Sequence, residues 1–218
     1  MGMTYDSLEQ LFIFLILASG LAILGSTRVR RALGWWTFQA LFLSTLIFFH
    51  GWRWHELEVL IIAGVSLAIK GGIIPWLLKR VLNHSNTEWV GEVFLKRTSS
   101  LVAASALTLL AYLITQPLLN LIQPAIRNEL AVAFSLLFYG LLVLIGRKVA
   151  LVQVLGILLL DNGIFLAGFL LTNGMPILVE IGVSFDILLG AVILGILARN
   201  MIENYDSLNV EHLNSLKG

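Results

Sequence analysis

The chain has 218 residues, 58% of them hydrophobic and 12% charged, with a net charge of +1 and no cysteine. Soluble domains rarely have this composition, so the sequence reads as an integral membrane protein with the lipid bilayer as solvent and no surface for nucleic acid. A crossing helix needs about 20 apolar residues, which leaves no length for a separate soluble domain. The lack of cysteine excludes disulfides, thiolate-bound iron–sulfur clusters and a thiol nucleophile.

The N-terminal stretch MGMTYDSLEQ carries two acids and no Lys or Arg ahead of its apolar run, the reverse of a signal peptide's charge order. Residues 8–27 therefore read as a retained first span. Further apolar runs fall at roughly 34–50, 57–78, 98–122, 129–146, 149–171 and 176–198, each bounded by charged, Gly or Pro-containing breaks. The expected fold is all-α: a polytopic membrane protein of seven transmembrane helices. Within the fourth run, Gln116-Pro117 and Gln123-Pro124 predict a bend or break in the last turns.

The basic residues outside the spans alternate between rich and poor segments. Arg28, Arg30, Arg31, Lys79, Arg80, Lys96, Arg97, Arg147, Lys148, Arg199 and Lys217 fall on one side of this layout, and Arg53 and Arg127 on the other. Cytoplasmic loops carry the excess of Lys and Arg, so the N-terminus is expected outside and the C-terminus in the cytoplasm. Trp35, Trp36, Trp52, Trp54 and Trp76 lie near span ends and read as interfacial anchors. The loop segment EWVGEVFLKR predicts a short interfacial helix. No internal repeat is visible, which argues against an inverted-repeat transporter.

Four ionisable residues remain inside the spans: Lys70, Asp161, Glu180 and Asp186. A central charge costs about 2.5 to 3.5 kcal/mol on insertion scales, so each requires an offsetting interaction. Asp161 lies 13 residues beyond Lys148 and Asp186 lies 13 residues before Arg199. At a rise of about 1.5 Å per residue, both come out near the midplane. The short TNGMP connection predicts that their helices are antiparallel neighbours. Glu180 stands about 9 Å further toward the outside and about 120° around the same helix. Lys70 is expected somewhat on the cytoplasmic side of centre, followed by Gly71-Gly72 and by Pro75, which can kink the helix.

Carboxylates at successive depths with a nearby lysine are what a proton path through a membrane requires. The competing reading is static: Lys70 pairs with one acid as an interhelical bridge, and Asp161 and Asn162 hydrogen-bond to neighbouring helices. The four histidines, His50, His55, His84 and His212, have no spacing that would gather them on a metal. The residues therefore present no catalytic or metal-ligand set. Thr98, Ser99, Ser100, Ser105 and Thr108 read as helix-packing residues, and Gly163, Gly168, Gly182, Gly190 and Gly195 as positions of close helix approach.

The segment VLGILLLDNGIFLAGFLLTNGMPILVEIGVSFDILLGAVILGIL resembles the C-terminal part of hydrogenase-4 component E, a membrane subunit of formate hydrogenlyase-type complexes. The stretch LAIKGGIIPWLLKRVL, with its intramembrane lysine followed by I-P-W, resembles the same family. Over roughly residues 126 to 198 the pattern is also similar to the K-type subunit of complex I and the C-type subunit of multisubunit sodium/proton antiporters. This resemblance divides the chain into a four-helix N-terminal region (1–125), a three-helix K-subunit-like region (126–200) and a cytoplasmic tail (201–218). It matches Asp161 to the first of two path glutamates, and Asp186 or Glu180 to the second. Aspartate at the first position keeps the charge but reaches less far.

The resemblance implies a membrane-arm subunit of a [NiFe]-hydrogenase complex that links antiporter-like subunits and contributes to proton or sodium translocation coupled to electron transfer. It also implies that the chain holds no cofactor, with the [NiFe] centre and iron–sulfur clusters in a redox module among its partners. The residues alone leave two alternatives: an autonomous small cation transporter, and a purely structural membrane linker.

Overall fold

The computed structural model describes residues 2–84, 97–117 and 127–172. The described residues form an all-helical bundle: α1 (Gly2–Leu24), α2 (Val29–Trp54), α3 (Leu57–Ser66), a π-helical segment (Leu67–Ile73), α4 (Ile74–His84), α5 (Arg97–Thr115), α6 (Arg127–Gly146) and α7 (Ala150–Thr172). Six stretches are long and apolar enough to cross a membrane: Ser7–Leu24, Val29–Trp54, Leu57–Asn83, Arg97–Thr115, Asn128–Gly146 and Leu151–Leu171. They match the first six expected runs. The seventh run, the interfacial helix expected around Glu88 to Arg97, apart from Arg97 itself, and the tail lie outside the described residues, as do Glu180 and Asp186.

The second helix overruns its apolar run at both ends. α2 begins five residues before its run and ends four after it, because backbone hydrogen bonding continues into the headgroup layer while hydropathy marks only the hydrocarbon. Its C-terminus closes at His55, which adopts a left-handed conformation (φ 55°, ψ 33°), with the Glu56 N–H bonded to the Gly51 carbonyl. The break signalled by Gly71-Gly72 and Pro75 is absorbed without interrupting the helix. The ladder widens into the π segment, where the Ile74 N–H reaches the Ile69 carbonyl, and α4 follows directly. Pro75 has no N–H to give, and two glycines just before it ease the change of register.

α2 is the central helix. It packs on α1, α3, the π segment, α4 and α7, while α6 lies between α5 and α7 and also touches α1. Large side chains such as Phe14, Leu109, Ile145 and Leu171 point outward, as a lipid-facing surface requires. Polar contacts tie the helix ends together. Arg30 Nη2 donates to Asn83 Oδ1 at 2.8 Å, and the buried Arg147 Nη2 donates to the Leu24 carbonyl at 3.1 Å. These contacts tie ends of the bundle that carry Arg28, Arg30, Arg31, Lys79, Arg80, Arg147 and Lys148. At the opposite end Arg53 faces Glu9 at 3.9 Å.

Four of the five expected anchors, Trp35, Trp52, Trp54 and Trp76, are exposed, but Trp36 is not. It is fully buried in the core, and its Nε1 finds no hydrogen-bond partner among the described residues. The helix starts at Val29, so Trp36 stands two turns in and faces the bundle rather than the headgroups. Trp36→Phe loses some ring volume but removes a buried unsatisfied donor. The two effects oppose, and thermal unfolding of the purified variant is expected to shift by no more than about 1 kcal/mol.

Candidate functional site

Lys70 and Asp161 meet in the centre of the bundle. Lys70 is the middle residue of the span Leu57–Asn83, and Asp161 is the middle residue of Leu151–Leu171. Each is therefore central in its own apolar helical stretch. Its Nζ lies 2.7 Å from Asp161 Oδ2, and the two side chains are 1% and 3% exposed. The same Nζ sits 4.2 Å from the ring centroid of Phe165, one turn further along α7, so the ammonium is held between a carboxylate and an aromatic face.

The contact is an ion pair without well-aligned hydrogen bonds. Despite the short distance, Lys70 Nζ and both Asp161 oxygens lack a hydrogen-bond partner of good geometry among the described residues. The distance is decisive for the charge interaction, which depends weakly on angle. Among the described residues neither group is bonded to the backbone. Two desolvated charges of opposite sign offset each other only while both are present. An ion or proton approaching from either side would shift that balance, which is the chemistry such a pair can perform in a low-dielectric interior.

Lys70 reaches this place because it lies in the π segment. A widened turn rotates the residues after it relative to an α-helical ladder, and such segments recur at functional positions. One turn earlier, Ser66 is fully buried and accepts from Ser44 Oγ of α2 at 3.4 Å, which fixes the face that α3 turns inward. Beside Asp161, Asn162 Nδ2 donates to Gln39 Oε1 of α2 at 3.0 Å, and Gln39 Nε2 donates to the Ile16 carbonyl of α1 at 3.0 Å.

Of the four charges singled out in the sequence, Lys70 and Asp161 are brought together, while Glu180 and Asp186 lie outside the described residues. Gln39 was not singled out. Its signal is a single neutral amide within the second apolar run, and it carries no charge to mark it as expensive. Among the described residues no group of three or more His, Cys, Asp or Glu could hold a metal. Ser105 and Thr108 bond back to carbonyls of their own helix, and Thr108 also bonds Tyr139 of α6, in keeping with a packing role.

Over 188 residues the chain is 31% identical to the uncharacterized protein Rv0085 of Mycobacterium tuberculosis, covering 86% of this chain and 84% of that one. It is 24% identical over 204 residues to hydrogenase-4 component E of Escherichia coli, covering 94% of each chain, and the Shigella flexneri protein of that name matches to the same extent. No family model matches. No solved structure matches. The sustained identity to the mycobacterial protein and the distant, nearly full-length homology to the enterobacterial one agree with the apolar helices of the structure, and the chain belongs to the family of Rv0085, with hydrogenase-4 component E as a distant homologue.

Proposed function

We propose that the chain is a membrane-arm subunit of a membrane-bound hydrogenase-type complex in a prokaryotic inner membrane, and that Lys70 and Asp161 form the central step of a proton or sodium path. The observation that carries this reading is the ion pair at mid-span. It joins the lysine of the LAIKGGIIPW stretch to the aspartate of the DNGIFLA stretch, the two segments that resemble hydrogenase-4 component E. Glu180 and Asp186 continue the path on a seventh helix, and the electron-transfer chemistry and its metal centres belong to partner subunits. The gathering of basic residues at one end of the bundle supports placing that end in the cytoplasm, with the N-terminus outside.

The same ion pair also favours a second, structural reading, because two opposite charges on separate helices bridge them. A linker keeps its function when both charges are replaced together by apolar residues that pack well, whereas a path loses it.

The direct test is purification of the tagged protein in mild detergent, with identification of the chains that accompany it and assay of hydrogenase activity and nickel–iron content. Antiporter-like membrane subunits and a nickel–iron module are expected in stoichiometric amounts. Recovery as a lone monomer or homo-oligomer would overturn the complex-subunit reading and favour an autonomous transporter.

A further inference from the structure

Asp161 and Asn162 are successive helical residues, so their side chains leave α7 about 100° apart and address different neighbours. Asp161 meets Lys70 of the π segment, and Asn162 meets Gln39 of α2. We propose that Gln39 is a positioning residue that, through Asn162, holds α7 at the rotation where the Asp161 carboxylate reaches Lys70. The importance of that rotation for ion movement rests on the path proposed above, whereas the positioning itself is a claim about geometry.

α7 needs such a device. Its sequence, ALVQVLGILLLDNGIFLAGFLLT, is apolar all round, so no amphipathic stripe dictates which face turns inward. Apolar contact is non-directional, and the glycine-lined face that α7 presents to α6 selects the side that packs there while leaving small rotations within that contact open. Hydrogen bonds supply direction. A turn of about 20° moves a carboxylate some 5 Å from the helix axis by nearly 2 Å, roughly enough to open the ion pair.

The Gln39 amide is suited to the task because both its ends are engaged. Oε1 accepts from Asn162, while Nε2 donates to the Ile16 carbonyl, which Ser19 Oγ also approaches at 2.8 Å. Gln39 and Asn162 are both fully buried, so water does not compete for these bonds. Gly20 makes the room: a Cβ there would lie 3.3 Å from Gln39 Nε2 and 3.0 Å from Leu136. Thus α1 anchors Gln39, Gln39 orients Asn162, and Asn162 fixes the turn of the helix that carries Asp161.

The test uses the full chain in lipid nanodiscs and dicyclohexylcarbodiimide, an apolar reagent that modifies protonated carboxyl groups within membranes. Modification of Asp161 is followed by peptide mass spectrometry as a function of pH. Among the described residues Lys70 is the charge facing Asp161, so K70M defines the fully released carboxyl. Q39L and N162L are each expected to raise the labelling rate at neutral pH about ten-fold, the weight of roughly one buried hydrogen bond. The double variant should do no more than either single one, since both break the same link.

Q39N keeps the amide but shortens its reach, and the swap Q39N/N162Q is expected to return labelling to the parent rate. This pair keeps the test available should Q39L fail to fold. Parent-like labelling of folded Q39L or Q39N, additive effects in the double variant, or a swap as reactive as its single changes would each overturn the proposal. If the labelling results hold while D161N leaves ion translocation by the complex intact, the positioning stands and the ion-path reading falls.

Discussion

Asp161→Leu is expected to destabilise the bundle by about 3 to 5 kcal/mol, because it strands the Lys70 ammonium at mid-span without its counter-charge. Phe165 remains beside the ammonium, but a ring face contributes about 0.5 to 2 kcal/mol and cannot replace a full charge. Lys70→Met should cost a similar amount by stranding the carboxylate. The combined variant, with both charges removed, is expected to regain most of the loss, since a buried ion pair replaced by well-packed apolar residues is often neutral or stabilising. Unfolding in a detergent series measures the cycle. Ion translocation by the reconstituted complex gives the decisive contrast: if the pair is a step in a path, the combined variant folds like the parent and moves no ions. Retained translocation in that variant would make the pair a static bridge.

The apolar runs carried most of the described architecture because a hydrocarbon layer imposes its thickness on any helix that crosses it. Six of them coincide with helices of the structure. Lys70 and Asp161 were legible for a related reason: charge at mid-span is too costly to be incidental. Their meeting was not legible, because hydropathy fixes the depth of a residue but not the rotation of the helix that bears it. The same limit explains Trp36. Proximity to a span end suggested the headgroup layer, yet the helix begins earlier than its apolar run and turns the indole inward. Pro75 announced a disturbance, but whether a helix answers with a kink or a π segment depends on neighbours that the local sequence does not name. Gln39 escaped notice because a neutral amide in an apolar run has many bland explanations.

Gly140→Ala is expected to weaken the molecule by about 3 kcal/mol, at the upper end of what overpacking typically costs, although it adds a single methyl group. A Cβ at this position would lie 2.6 Å from Leu160 Cγ, 2.7 Å from the Gly156 carbonyl oxygen and 2.7 Å from the Leu160 nitrogen. Two of these atoms are backbone and cannot rotate away, so α6 and α7 must separate along their length. In lipid that separation is costly in a specific way: tails are as apolar as the side chains they replace, so helix association depends on close packing rather than on escape from water. Gly163→Ala should act in the same direction, with a Cβ 2.9 Å from both the Ala133 carbonyl oxygen and the Leu137 nitrogen, and it lies beside the Asp161-Asn162 pair. Gly34→Ala and Gly64→Ala meet nothing within 4 Å and serve as controls, expected to be neutral or slightly stabilising through helix propensity. Thermal unfolding of the four variants in one detergent orders them. Were Gly140→Ala as benign as Gly64→Ala, the close approach of α6 and α7 would be wrong, and with it the glycine contact within which Asn162 sets the fine rotation of α7.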